Sequence, residues 1–176
     1  MAVLYLKPEH LGAIAQVLSA AYPREGCGLL LGRRTFVAVA EVTEETQRAV
    51  ASVVPMTNAW EPSLLPYTDA QGQGAQDHSR RDRYWIDPAD LLVVQRSARQ
   101  QGLEIIGIYH SHPDHEAVPS ECDRALAWPV YSYVIVSIVQ GQVADLKSWR
   151  LDEQGQFQPE SVKMIGSSTD KAPFLS

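Results

Sequence analysis

Two histidines, His110 and His112, close an apolar run, Ile105-Ile106-Gly107-Ile108-Tyr109. In an extended strand, positions i and i+2 share one face at a rise of about 3.3 Å per residue. Their imidazoles can therefore converge on one cation. Asp123 follows after ten intervening residues and offers a hard oxygen. Two nitrogens and one oxygen suit a zinc with an open fourth position, as catalytic sites have; closed structural sites are more often rich in cysteine. Water in that position falls to a pKa of about 7. Taken alone, a His-x-His pair is a weak signal, because core histidines give the same spacing.

Hydrolysis by such a water needs a group that takes its proton and hands it to a leaving amine. Glu25, in Arg24-Glu25-Gly26-Cys27-Gly28, is the candidate, although only folding can bring it near. Hydrolysis also needs a donor for the developing oxyanion. Ser120 lies three residues before Asp123, one helical turn away, so its hydroxyl can face the same cavity. Ser120-x-x-Asp123 is equally a plain helix-capping pattern. The two roles compete only partly, since the hydroxyl proton is free to be donated. Cys122 adjoins Asp123, and neighbours on a helix point about 100° apart, so it reads as core. Cys27 reads as a small buried hydrophobe. His115 reads as a solvated loop histidine, with metal or substrate contact as the alternative, and Asp114 and Glu116 read as loop charges, with an influence on substrate choice as theirs. His10 and His78 have no partner in the sequence.

The segments that carry these residues follow simple signals. Residues 8–22 predict a helix, with Pro8 in the first turn and Leu11, Ile14, Ala15, Leu18, Ala21 and Tyr22 on one face. Leu29–Leu31 predicts a short buried strand. Residues 35–42 and 49–56 predict two more, joined through the polar stretch 41–48 as a hairpin. The pattern dissolves over 57–83, a long surface loop in which Trp60, Leu64, Leu65 and Tyr67 can fold over a partner. Its basic cluster, Arg80-Arg81-Asp82-Arg83, reads as solvated. Tyr84–Ile86 reads as a short strand. Asp87 as N-cap and Pro88 at the first helical position start a helix to about Gln101, stopped by Gly102. Its core face takes Leu91, Leu92, Val94 and Ala98. A strand over 103–110 then delivers the histidines, and Pro113 stops it. A helix from Ser120 to Trp128 and strands over 131–139, 143–151 and 157–165 follow, with a polar tail over 166–176. The expected fold is mixed α+β, a mostly antiparallel or mixed sheet with about three helices packed on it.

A chain of 176 residues with 45% apolar content suits one domain with a sizeable core. A net charge of −6 argues against a nucleic-acid partner. Two cysteines make no disulfide framework. No signal peptide and no apolar run of about 18 residues is visible. A cytoplasmic protein with reduced thiols and no membrane partner is expected.

Taken together, Glu25, His110-Ser111-His112-Pro113 and Ser120-x-x-Asp123 resemble the signature of the JAMM (MPN-plus) metalloproteases. Glu-Gly-Cys-Gly-Leu-Leu-Leu-Gly and Ile-Gly-Ile-Tyr-His-Ser-His-Pro are similar to the family's glutamate and histidine segments. Further stretches, such as Tyr-Trp-Ile-Asp-Pro-Ala-Asp-Leu-Leu, resemble its stand-alone bacterial branch. The resemblance spans about residues 3–151. It implies a cytidine-deaminase-like three-layer α/β fold, with a catalytic domain over 1–155 and a C-terminal strand and tail over 156–176; the 57–83 segment departs from it as an insertion. It implies Zn2+ held by His110, His112 and Asp123, Glu25 as general acid/base, and Ser120 as oxyanion donor. The implied activity is hydrolysis after the C-terminal glycine of a ubiquitin-like or sulfur-carrier protein. A homodimer stays open, and the 57–83 insertion leaves the substrate open. The competing function is an inactive MPN-type scaffold that only binds partners, but inactive members lack ligands that are all present here. An amidohydrolase would need a barrel of about 250 residues.

Overall fold

The computed structural model describes residues 2–39, 43–64 and 78–166. In chain order the elements are β1 (Val3–Leu6), α1 (Pro8–Ala21), β2 (Cys27–Val39), β3 (Thr43–Met56), α2 (Pro88–Gln100), β4 (Glu104–Pro113), α3 (Glu121–Leu126), β5 (Ser132–Val139), β6 (Gln142–Leu151) and β7 (Phe157–Met164). The sheet runs β1-β3-β2-β4-β5-β6-β7 and closes on itself, because β1 pairs in parallel with both β3 and β7. β4 and β5 are also parallel, and the remaining pairs are antiparallel. The mixed α+β architecture expected from the sequence is present.

The two helices that flank the site serve opposite faces of this sheet. Successive strand residues point to opposite faces, and β2 shows it: Leu30 packs with Ile14 and Leu18 of α1, while Leu29 and Leu31 pack on the side of Ala98 in α2. α1 begins with Pro8 and a capping box in which the Lys7 amide donates to Nδ1 of His10 at 3.2 Å. Burial holds the His10 pKa down, leaving that nitrogen free to accept. α2 starts on Asp87, whose side chain accepts from the Ala89 amide at 2.7 Å. It ends before Gly102, whose φ of +66° is the left-handed conformation that glycine adopts without cost.

Four expectations need correction. The three strands predicted over 29–31, 35–42 and 49–56 are two long ones, β2 and β3, paired from Cys27↔Met56 to Val39↔Thr43; residues 40–42 between them lie outside the described residues. β1 was not expected. Tyr84–Ile86 joins no ladder. Leu92 is exposed, so the buried face of α2 is narrower than its apolar pattern. Of the apolar residues of the 57–83 loop, Trp60 is buried and Leu64 exposed, while Leu65 and Tyr67 lie outside the described residues, as does the tail beyond Gly166. No described helix is long and apolar enough to cross a membrane.

Candidate metal centre and cleft

β4 delivers His110 and His112 to one face at its end, and α3 brings Asp123 against them. His110 Nε2 lies 3.2 Å from Asp123 Oδ1, and His112 Nε2 lies 3.4 Å from Asp123 Oδ2. The two Nε2 atoms are 3.1 Å apart. All three side chains are nearly inaccessible to solvent. Donors held 2.0–2.1 Å from a tetrahedral zinc stand about 3.3 Å apart; here each imidazole nitrogen meets a different Asp123 oxygen at about that separation, and one donor atom from each residue lies within 4.8 Å of the other two. The protonation states fit as well. Burial lowers the His110 pKa against the pull of Asp123, which favours neutral imidazole. Burial would raise Asp123, but the two imidazoles hold it well below the usual carboxylate range. A neutral imidazole and an ionised carboxylate are the forms that bind a cation.

Each histidine is oriented by a different means. His112 Nδ1 lies 2.9 Å from the Glu116 carbonyl, which can only accept. The proton therefore sits on Nδ1, and the Nε2 lone pair faces Asp123. His110 stacks on Tyr84, with centroids 4.4 Å apart and planes 23° from parallel. Its Nδ1 is buried with no hydrogen-bond partner among the described residues. Tyr84 was read as part of a strand, and its contact with His110 had no signal in the sequence.

Glu25 reaches the same place through strand register. Cys27 pairs with His110, so the residues just before β2 lie beside the end of β4. Ser111, the residue between the histidines, fixes this edge: its amide donates to the Gly26 carbonyl at 3.0 Å, and its Oγ accepts from the Gly26 amide at 2.9 Å. Glu25 is buried, and its carboxyl has no hydrogen-bond or ion-pair partner among the described residues. Burial, and then the charges of Asp123 and Asp82, push its pKa well above the usual range, while Arg83 opposes them.

Asn58 is a second residue with no advance signal. Its Nδ2 donates to the carbonyls of Glu25 and Arg83, at 3.0 and 2.9 Å. Its Oδ1 accepts from the amides of Trp60 and Trp85, at 3.0 and 3.1 Å. One side chain thus ties Glu25 to the segment that carries Tyr84. Each unmet buried backbone group costs about 1–3 kcal/mol. Asn58→Ala is expected to lower unfolding free energy by about 3 kcal/mol and to reduce turnover by displacing Glu25. Denaturant melts with parallel rate measurements check this. A variant with unaltered stability and rate would show that the four bonds position nothing.

Ser120 caps α3. Its Oγ accepts from the Asp123 amide at 3.1 Å and donates to Asp123 Oδ2 at 2.6 Å, and its own amide also donates to Oδ2 at 2.7 Å. The proton that the sequence left free is therefore engaged by Asp123, and an oxyanion must draw it away. Cys122 and Cys27 are free, buried thiols whose pKa values burial pushes up to about 11 and about 12, and neither belongs to the His110–His112–Asp123 cluster. His115 lies at the rim of the cleft. His78 binds Asp82 and Arg83, and His10 sits in α1.

Two cavities meet at this centre and share Glu25, Asp82, Arg83 and Ser120. One, of about 380 Å³, has walls of Tyr84, Ile86, Leu91, Leu126, Trp128 and Tyr131, with Asp123 at its floor. The other, of about 410 Å³, is polar and is lined by Arg81, His112, His115 and Glu116. The Arg80–Arg83 cluster is thus a wall of the cleft and not merely a solvated loop. Arg80 itself is tied down, with Nε donating to the Trp60 carbonyl at 2.8 Å and its own carbonyl accepting from the Glu25 amide at 2.6 Å.

Comparison with known proteins follows the same residues. A family model described as prokaryotic homologs of the JAB domain matches residues 7–152. A desampylase from Haloferax volcanii is 31% identical over 117 residues, covering 65% of this chain and 63% of that protein. The chain therefore spans less than two thirds of that relative's length. A CysO-cysteine peptidase from Mycobacterium tuberculosis is 27% identical over 164 residues, covering 93% of this chain and 92% of the relative. A solution structure of a Desulfitobacterium hafniense protein superposes with a TM-score of 0.67 at 25% identity, covering 94% of each chain.

Proposed function

The chain belongs to the prokaryotic JAB (JAMM) family, and from that premise we propose that it is a zinc-dependent isopeptidase. It hydrolyses the bond after the C-terminal glycine of a ubiquitin-like or sulfur-carrier protein. The convergence of one donor atom each from His110, His112 and Asp123 to within 4.8 Å of one another, with Glu25 and Ser120 on the same cleft, supports this function most directly. The relatives' names support the substrate class, since one is a desampylase and the other a CysO-cysteine peptidase.

His110, His112 and Asp123 would hold the ion, which supplies Lewis acidity to activate water and polarise the scissile carbonyl. The residues do the rest. Glu25 takes a proton from the attacking water at its carboxylate. The water oxygen bonds to the glycine carbonyl carbon. Ser120 Oγ turns its proton from Asp123 Oδ2 to the new oxyanion. Glu25 then gives its proton to the amide nitrogen, the C–N bond breaks, and an amine leaves with a glycine carboxylate behind it. The apolar cavity receives the neutral glycine tail and keeps bulk water from the reacting carbonyl. The cytidine-deaminase-like three-layer description belongs to the same proposal and is supported by α1 and α2 on opposite faces of the sheet. A cytoplasmic location belongs to the same proposal.

Incubating the zinc-loaded protein with a sulfur-carrier conjugate is expected to give a single cut after the terminal glycine, read by mass spectrometry. Stoichiometric zinc without cleavage of any ubiquitin-like conjugate would instead favour the inactive scaffold.

A further inference from the structure

We propose that the polar half of the cleft is the leaving-group subsite and that Arg81 there selects an amine bearing an adjacent carboxylate, a single amino acid joined through its α-nitrogen. This rests on the isopeptidase function above and narrows its substrate. The two cavities differ in what they can hold. A free charge cannot be desolvated without a partner, so the aromatic-walled cavity suits neutral peptide. The product released from the other side carries an amine and, if it is an amino acid, a carboxylate. The polar cavity accepts both.

Asp82, Arg83, His112 and Glu25, which face that cavity, are committed elsewhere. Asp82 accepts from His78 Nδ1 at 2.5 Å and from the Ser79 amide at 2.8 Å. Arg83 donates through Nη1 to the Asp82 carbonyl at 2.6 Å, and its Nη2 lies 2.9 Å from His78 Nε2. His112 is turned to the metal centre by the Glu116 carbonyl. Glu25 is kept for proton transfer. Three ionisable side chains remain, Arg81, His115 and Glu116, and the first two also feel the exposed Asp114 carboxylate beside the cavity. The Arg81 guanidinium and the Glu116 carboxylate line the same cavity, yet neither makes a hydrogen bond or ion pair with any described residue, including each other. Arg81 is oriented by backbone alone, its amide donating to Ser79 Oγ at 3.2 Å. A guanidinium is a planar, permanently charged fork that matches a carboxylate. Glu116 opposes a carboxylate and favours the amine that forms as the bond breaks. The two charges therefore pull the carboxylate preference in opposite directions.

That opposition defines the test. A carrier protein ending in glycine is joined to one amino acid with a free α-carboxylate, to the same amino acid as its carboxamide, or to the ε-nitrogen of a lysine within a peptide. The wild-type protein is expected to cleave the carboxylate form with a kcat/KM about fivefold above the carboxamide, the size of an exposed charge pair. Arg81→Ala should bring that ratio to about one, and Glu116→Gln should raise it, with the wild-type preference shrinking in high salt. Both side chains are exposed, so both variants should fold. A ratio insensitive to either substitution, or a wild-type preference for the lysine-linked form, overturns the Arg81 assignment while leaving the isopeptidase intact. Failure to cleave any of the three overturns the isopeptidase function and this subsite with it.

Discussion

Asp123→Ala is expected to lose bound zinc and to reduce hydrolysis roughly a thousandfold or more, since the Lewis acid it helps hold is worth several kcal/mol to the transition state. Asp123 bridges the two imidazoles, with one oxygen on each. Its removal leaves two imidazoles facing each other with no anion to fix a divalent cation. The same carboxylate also accepts from the Ser120 amide at the start of α3, so Asp123→Ala loses a cap worth about 1 kcal/mol as well. His112→Ala separates the two effects. It removes one ligand and leaves the Ser120–Asp123 cap untouched, so it should lose metal and turnover while α3 keeps its stability. Metal content by elemental analysis, conjugate cleavage and thermal melts measure the three quantities. Either variant retaining one zinc per chain and near-normal turnover would remove the triad from the chemistry.

The convergence of His110 and His112 was legible because it depends on one local rule, that i and i+2 share a face, and β4 obeys it. Asp123 was legible for the same reason: a capping pattern fixed its place at the start of α3. The start signals of α1 and α2 are equally local, and both helices stand within a residue of their predicted ends. What failed was non-local. β1 is four residues, Val3–Leu6, too short to announce itself; it is a strand because β3 and β7 offer it edges on both sides. Tyr84–Ile86 has strand composition but no neighbouring edge, so it stays irregular, and Tyr84 is used against His110 instead. Arg80–Arg83 has the composition of a solvated loop. Its place in the cleft comes from contacts with Glu25 and Trp60 that lie 20 or more residues away. A motif lists residues, whereas the register of β2 against β4 decides which of them meet. Gly28 shows how tight that register is: a Cβ there would lie 2.2 Å from the Tyr109 ring.

Glu25→Gln is expected to keep the zinc and to lower the rate by about 10²–10⁴, the usual contribution of a positioned acid–base group. Glutamine matches the shape of glutamate, and neither the ligands nor the β2–β4 edge depends on the carboxyl, which makes no hydrogen bond or ion pair with any described residue. The substitution should therefore strip proton transfer from an otherwise intact site. A second consequence separates this from general damage. Burial and the neighbouring Asp123 and Asp82 charges raise the Glu25 pKa above its ordinary 4.5. Between those two values the folded state binds more protons than the unfolded one, so stability falls as pH rises through that window. Glutamine does not ionise. The metal-free variant should then be more stable than the metal-free wild type above pH 4.5, by a margin that widens until the folded-state pKa is passed. A site damaged by the change would show the reverse, a loss of stability together with activity. Equal cleavage rates for the two proteins would take the proton-transfer role away from Glu25, and equal melting profiles across pH would deny that its carboxyl is buried beside those acids.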